Sequence, residues 1–426
     1  MNASIDKPSI VVVGLGYVGL PLAIALASRF DTTGLDIDAG RIAELQRHHD
    51  RTNEITSERL EKTTLRLTSD PATVRASDIY IVTVPTPVDA DNRPDLSIIE
   101  RASRMVGGML DGARRPIICY ESTVYPGVTE DLCGPILEQA SGLIRGRDFF
   151  LGYSPERINP GDREHTIDKI TKVVAGESPV VTARLATVYG AVTVGGTYQA
   201  ASIKVAEAAK VIENAQRDIN IAFMNEITRI FSLMDISVWD VLKAAGTKWN
   251  FLPFQPGLVG GHCIGVDPYY LAHCAAALGH DPAVILSGRA INDAMGGWVA
   301  DQLSAQLVPK SRVLVMGLTF KEDVPDLRNS KVADVIARLK LLGHGVDVTD
   351  PHADRHEAAQ EYGIELVVDA EKAAYDAVLL AVPHEEYRAA GVTGATCFLR
   401  GGGVLADLKG LFAEHTLPNN IVYWGI

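Results

Sequence analysis

The tightest constraint in the chain lies near its start. "SIVVVGLGYVGLPLAIALASRF", Ser9 to Phe30, sets a β-branched run against Gly14-x-Gly16-x-x-Gly19, and an apolar helical stretch follows. The first glycine permits a tight turn, the second lets a pyrophosphate approach the backbone, and the third lets helix and strand pack closely. Free N–H groups at the helix N-terminus would hold the phosphates. Asp36 ends the next strand, "TTGLDID", roughly twenty residues on. A carboxylate there can hold a ribose 2′-OH and would repel a 2′-phosphate. The pattern predicts a dinucleotide site that takes NAD rather than NADP. Pro8–Ser28 carries no charge and could mimic a signal peptide or a span. Three glycines, Pro21 and the Ile10–Val13 cluster favour strand, turn and helix instead.

Further strands follow at "SDIYIVTVPTP" (77–87) and "RPIICYEST" (115–123), alternating with helical stretches, which indicates a parallel α/β sheet. From about Ala200 to Met234 there is no Gly or Pro. Ile203, Ala206, Ala209, Ile212, Ala215, Ile219, Phe223 and Ile227 recur at steps of three and four, predicting one long helix with those residues on its apolar face. After about residue 300 the strands return: "SRVLVMGLTF" (311–320), "HGVDVTDP" (344–351), "YDAVLLAVPH" (375–384) and "GGGVLADLKG" (401–410). "SDIYIVTVP" and "YDAVLLAVP" resemble each other. The expected fold is α/β: two Rossmann-like doubly wound domains joined by the long helix and a helical middle domain. The expected boundaries are 1–198, 199–300 and 301–426.

At 426 residues, two or three domains are expected. Five scattered cysteines without a CxxC pair suit reduced thiols and a cytoplasmic location. A net charge of −13 opposes nucleic-acid binding but leaves room for a small anion held by a local basic cluster. No membrane partner is expected.

The last domain lacks a GxGxxG but has "GLTFKEDVPDLRNS" after a strand, with Lys321 and Arg328 near the turn. A phosphate-bearing ligand other than a dinucleotide fits; two solvated charges are the plainer reading. Lys210 and Asn214 are four apart on the long helix and share a face with Glu207, as either a solvated stripe or a functional one. "GLVGGHCIGVDPYYLAHC" places Cys263 after two glycines. A metal ligand, a packed thiol and a nucleophile compete for it. Adjacent His-Cys pairs rarely face one metal, so no metal is expected. The glycines would clear space for a substrate, and a nearby ammonium such as Lys210 would raise the thiolate fraction.

Six stretches together resemble the UDP-glucose/GDP-mannose dehydrogenase family: "GLGYVGLPLA", "VPTPVD", "YESTVYPGVTE", "SPERINPGD", "EAAKVIENAQRDINIAFMNE" with "GGHCIGVDPYYL", and "GLTFKEDVPDLRNS". They span nearly the whole chain. The form "GLVGGHCIGVDPYYL" most resembles the branch that oxidises UDP-N-acetylhexosamines such as UDP-GlcNAc or UDP-GalNAc. The resemblance implies an N-terminal NAD-binding domain, a central dimerisation region and a C-terminal UDP-binding domain, in a homodimer or higher homo-oligomer. It implies a four-electron oxidation of the sugar C6 alcohol to a uronate, with Cys263 carrying a thiohemiacetal and then a thioester. Lys210 and Asn214 match the pair that stabilises oxygen charge at C6. Thr123 and Asp267 match residues that position water, and Glu156 the carboxylate of thioester hydrolysis. Gly14, Gly16, Tyr17, Val18, Gly19, Asp36, Arg41, Thr86, Thr123 and Arg328 match cofactor positions. Glu156, Arg157, Lys210, Asn214, Phe254, Gly257, Gly260 and Lys321 match substrate positions.

Three places depart from the UDP-glucose branch. Val266 stands where that branch has a lysine, Pro160 where it has a second glutamate, and Thr247 or Lys248 is nearest to an arginine donated by a neighbouring subunit. These departures fit an acetamido sugar. The alternatives are a 6-dehydrogenase for UDP-glucose, UDP-ManNAc or GDP-mannose, a two-electron NAD hydroxy-acid dehydrogenase, and a non-catalytic nucleotide-sugar-binding regulator.

Overall fold

The computed structural model describes residues 7–89, 91–157, 168–261, 264–418 and 420–426. The chain divides into two compact units, Met1–Glu213 with Tyr269–His280, and Asn214–Pro268 with Asp281–Ile426.

The first unit is built on strands β1 (Ser9–Val13), β2 (Asp31–Leu35), β3 (Arg66–Thr68), β4 (Ile79–Val82), β5 (Ile117–Tyr120), β6 (Phe150–Tyr153), β7 (Lys172–Gly176) and β8 (Thr197–Gln199). Their order is β3-β2-β1-β4-β5-β6-β7-β8. The first six run parallel, and β7 turns antiparallel to β6. Side chains alternate across the sheet, so β1 feeds two cores. Ile10 and Val12 pack with Leu20, Leu22 and Leu26 of the helix Gly19–Ala27 on one face. Val11 and Val13 pack with Ile99, Val106 and Leu137 on the other.

The second unit carries β9 (Arg312–Met316), β10 (Gly345–Thr349), β11 (Tyr375–Leu380), β12 (Leu399–Asp407) and β13 (Val422–Gly425), all parallel, in the order β10-β9-β11-β12-β13. Val313 and Val315 face one core and Leu314 and Met316 the other. Both sheets are thus doubly wound. β4 and β11, the strands of the two similar sequence stretches, each lie directly beside the first strand of their own sheet. The expected doubly wound α/β class is therefore what the chain adopts.

The long helix spans Ile203–Ser232, thirty residues. Its buried face differs from the sequence expectation. Ile203, Ala206 and Ala215 are buried as expected, but Ile212 is 54% exposed and Phe223 55%. The buried stripe instead carries Glu207, Lys210, Asn214, Asp218 and Asn225. Spacing alone could not reveal this, because polar side chains buried on a helix must find partners distant in sequence. Within the second unit, Arg289 Nη1 donates to Asp218 Oδ1 at 2.6 Å, and Asn292 Nδ2 donates to the same oxygen at 2.7 Å.

Candidate active site

Parallel strands end on one side, so in the first unit the loops after β1, β2, β4, β5 and β6 share one edge of the sheet. The turn after β1 has the form the sequence predicts. Gly14 adopts φ +92°, and its N–H donates to Leu35 O at 2.8 Å. A Cβ at Gly19 would lie 1.9 Å from Gly14 O and 2.4 Å from Thr83 Oγ1, whereas one at Gly16 would meet nothing within 4 Å. Gly19 is therefore a packing glycine, and Gly16 leaves open room beside the backbone. Tyr17 and Val18 are half-buried between them. Thr83, absent from the sequence reading, locks the turn by donating to Gly14 O at 2.7 Å and Val13 O at 3.0 Å.

Asp36 stands at the end of β2. Its Oδ2 accepts the Leu15 N–H at 2.8 Å and its Oδ1 that of Asp38 at 2.9 Å. Each oxygen keeps a lone pair for a ribose hydroxyl. Arg41 lies beneath the turn. It is 4% exposed and donates to Leu15 O at 3.0 Å and Asp50 Oδ1 at 2.7 Å. Its guanidinium braces the loop, a role the sequence did not display.

Further along the edge, Thr86 Oγ1 donates to Thr123 O at 2.7 Å, which brings these two residues together. Glu156 is buried, and its Oε1 accepts the Arg157 N–H at 2.7 Å. The Arg157 guanidinium is exposed and pairs with Glu213 at 2.8 Å. Lys210 is 7% exposed. Glu207 overturns the solvated-stripe reading. It is fully buried, and its carboxylate accepts the Gly127 and Thr129 N–H groups at 2.6 and 2.9 Å. Desolvation outweighs those hydrogen bonds and pushes its pKa up to about 7.

In the second unit Asn214 Nδ2 donates to Asp267 Oδ2 at 2.5 Å, with both residues buried. Asp267 opens the helix Asp267–Ala277. Cys263 lies outside the described residues, as do His262 and Pro160. Asn225 grips the Gly257 peptide from both sides, accepting its N–H at 2.8 Å and donating to its carbonyl at 3.0 Å. Phe254 is half-buried in the same loop. Gly260 and Gly261 have a different reason for their small size from the one the sequence suggests. A Cβ on Gly260 would meet Asn329 O at 2.8 Å, and one on Gly261 would meet the Phe320 ring at 2.9 Å. They make room for this chain's own loop.

A cavity of about 180 Å³ lies at the ends of β9, β11 and β12, the point where the strand order of the sheet reverses. Its lining includes Gly260, Phe320, Val382 and three lysines, Lys321, Lys331 and Lys409. Lys331 is shared with Asp293 and Asp334, each at 3.1 Å. Lys409 was missed in the sequence, although it follows a strand end just as Lys321 does. Arg328 is exposed and forked onto Asp326 at 2.8 and 2.5 Å.

The turn after β9 repeats the one after β1. Gly317 has φ +95°, its N–H reaches Thr349 O at 2.8 Å, and Asp350 accepts from Leu318 and Thr319 as Asp36 does from Leu15. The Asp350 carboxylate is already consumed. Its Oδ1 takes the His352 and Ala353 N–H groups, both at 2.8 Å, and its Oδ2 lies 3.0 Å from His384 Nε2. Against the cost of burial, His384 and the Leu318 and Thr319 N–H groups hold this carboxyl well below the usual range. A second dinucleotide ribose therefore has no acceptor here. Asp323, His352 and His384 approach one another nearby. The lone pair of His384 Nδ1 is taken by the Asp323 N–H at 3.0 Å, and the Asp323 carboxylate by Arg388 at 2.6 Å. The trio is a hydrogen-bonded network rather than a metal cage.

The chain matches the NAD binding domain of the UDP-glucose/GDP-mannose dehydrogenase family over residues 8–193, its central domain over 204–294 and its UDP binding domain over 314–414. The chain belongs to the UDP-glucose/GDP-mannose dehydrogenase family. It is 50% identical over 422 residues to protein CapL of Staphylococcus aureus, covering 98% of this chain and 99% of that one. It is 49% identical over 412 residues to a UDP-N-acetyl-D-glucosamine 6-dehydrogenase of Pseudomonas aeruginosa, covering 95% and 97%. The solved UDP-D-ManNAc dehydrogenase of Pyrococcus horikoshii superposes with a TM-score of 0.86 at 28% identity, covering 98% and 99%.

The protein is accordingly an NAD-dependent dehydrogenase with a UDP-binding domain, and its Gly14–Gly19 turn with Asp36 fits that cofactor. No described helix is long and apolar enough to cross a membrane.

Proposed function

We propose that this dehydrogenase oxidises C6 of UDP-N-acetyl-D-glucosamine to the uronic acid, releasing four electrons to two NAD. The substrate follows the Pseudomonas aeruginosa relative, 49% identical across 95% of this chain. The observation that carries the chemistry is the buried 2.5 Å contact between Asn214 and Asp267. It ties the segment that follows Cys263 to the long helix.

Lys210 and Asn214 stabilise negative charge on the C6 oxygen as its proton and hydride leave. NAD, when bound, supplies the two-electron oxidant of each step. The Cys263 thiolate adds to the resulting aldehyde, and the thiohemiacetal loses a second hydride to become a thioester. Glu156 takes a proton from water, hydroxide attacks the acyl carbon, and the thiolate leaves. Thr123 and Asp267 position that water. The other matched positions serve the two ligands, Arg41 by bracing the cofactor turn and Gly260 by letting the loop pack. Gly14, Gly16, Tyr17, Val18, Gly19, Asp36, Arg41, Thr86 and Arg328 serve the cofactor, and Arg157, Phe254, Gly257, Gly260 and Lys321 the UDP-sugar.

The three family matches support the division into residues 1–198, 199–300 and 301–426. The exposed Phe223 and Ile230 on the long helix, with Met234 just past its end, support a homodimer. A cytoplasmic location and a uronate destined for surface polysaccharide complete the reading.

The test is an NADH count on a panel of UDP-sugars. Two NADH per UDP-N-acetylglucosamine, with slower turnover of UDP-glucose, is expected. One NADH per sugar would remove the thioester route, and no NADH with any UDP-sugar would remove the function.

A further inference from the structure

The core of the first unit holds a buried ion pair, Lys172 with Glu121, that the reaction scheme does not use and that adjoins Glu156. Lys172, the first residue of β7, is 1% exposed. Its Nζ donates to Glu121 Oε2 at 2.8 Å and to Pro155 O at 3.3 Å, and lies 4.0 Å from Glu156 Oε2. Glu121 follows β5 and is 1% exposed. Its other oxygen accepts the Tyr189 hydroxyl at 2.5 Å. Cys119 Sγ lies 3.5 Å from that same hydroxyl.

A buried ammonium costs several kcal/mol unless it is well paired. One carboxylate would be enough for that, yet two face Lys172. The two carboxylates compete for a single cation, and burial, with the Glu156 charge, raises the Glu121 carboxyl against the pull of Lys172. Lys172 also holds the carbonyl of Pro155, the residue directly before Glu156. It thus holds the backbone that carries Glu156 and places a positive charge beside its carboxylate.

We propose that Lys172 is a positioning residue for thioester hydrolysis, holding Glu156 in place and setting a positive charge beside it, with Glu121 competing for that charge. This rests on the reading of Glu156 as the base. Arg157, Cys119 and Tyr189 also border this cluster. Arg157 gives Glu156 a backbone N–H while its guanidinium turns to Glu213 and to Thr171 O at 3.2 Å. Cys119 and Tyr189 are neutral at working pH, because burial raises both.

The experiment mixes excess enzyme with UDP-N-acetylglucosamine and NAD, and follows uronate release from the trapped thioester as a function of pH. Lys172→Met should move the acid limb of hydrolysis up by about one pH unit or more, as expected for losing an opposite charge at 4 Å. Formation of the first NADH should stay within a few-fold. Lys172→Arg should restore most of the wild-type profile. Lys172→Met/Glu121→Gln removes one charge of each sign and should return the limb close to wild type. Glu121→Gln alone leaves the whole ammonium to Glu156 and should move the limb down; it decides the matter if Lys172→Met does not fold. An unmoved limb in both Lys172→Met and Glu121→Gln overturns the proposal, as does a double variant shifted as far as the single. Wild-type hydrolysis by Glu156→Gln, or no thioester in the wild type, would take down the functional reading and this proposal together. An unmoved limb alongside an inactive Glu156→Gln takes down only the latter.

Discussion

Glu207 shows how far a single residue departs from its apparent role. In sequence it sits three before Lys210 and looks like a helix-surface acid; in the fold it is buried and caps the 127–129 backbone. Its pKa, raised to about 7, sets the sign of a pH effect. A folded carboxyl that titrates above its unfolded value of 4.5 binds more protons folded than unfolded between the two. Its stabilising share is complete below pH 4.5 and is lost as pH rises through about 7. We expect the unfolding free energy of wild type, from denaturant titrations, to fall across that window by up to about 3 kcal/mol relative to Glu207→Gln. Gln should carry its own fixed penalty, since its amide N–H₂ faces a backbone donor. Parallel pH slopes for the two proteins would show that Glu207 titrates normally. The sequence could not disclose this burial, because the partners of Glu207 lie about eighty residues away and are backbone groups with no side-chain signature. The place of Asp36 at the end of β2 was readable because it depends on spacing from a glycine turn alone.

At the scale of elements, the first strand, turn and helix were legible almost to the residue. The reason is local: β-branched Ile10–Val13, a positive-φ Gly14 and an apolar helix all agree. Strands β3, β6, β7, β8 and β13 were not anticipated. β3 and β8 have only three residues each, and β7 carries a buried Lys172 that hides its core character. The Gly14–Gly19 turn separates two kinds of glycine by experiment. Gly19→Ala forces a methyl to within 1.9 Å of a backbone oxygen, so the helix must shift. A loss of about 2–3 kcal/mol and several degrees of Tm is expected, with NAD affinity falling as well. Gly16→Ala meets nothing in the protein. It should keep the wild-type Tm and still weaken NAD by about tenfold or more, because the methyl stands where the pyrophosphate approaches. Thermal melts with NAD titrations check both. A Gly16→Ala protein that binds NAD normally would place the phosphates elsewhere.

For the whole molecule, the two sheets and the long helix were visible in the sequence because each is a repeated local pattern. The orientation of that helix was not visible, since a mean apolar period cannot tell a core face from a face that awaits another chain. Phe223 and Ile230 lie seven apart on the helix and are 55% and 48% exposed, and Met234, 58% exposed, follows just past its end. Leu233, 90% exposed, adds to them at the end of the helix, and Trp249, 92% exposed, lies in the following segment. Scattered apolar groups on a surface need no explanation, but a stripe on one helix does. Buried in a homodimer, these side chains would each contribute roughly 1.5–3 kcal/mol. Phe223→Glu/Ile230→Glu replaces two of them with like charges that would face their copies across a two-fold axis. Sedimentation should show the wild type as a dimer or larger and the double variant as a monomer at micromolar concentration. The variant's Tm should become independent of protein concentration, while the wild-type Tm rises with it. If the double variant sediments as wild type does, the stripe is not the subunit interface, and another surface must hold the copies together.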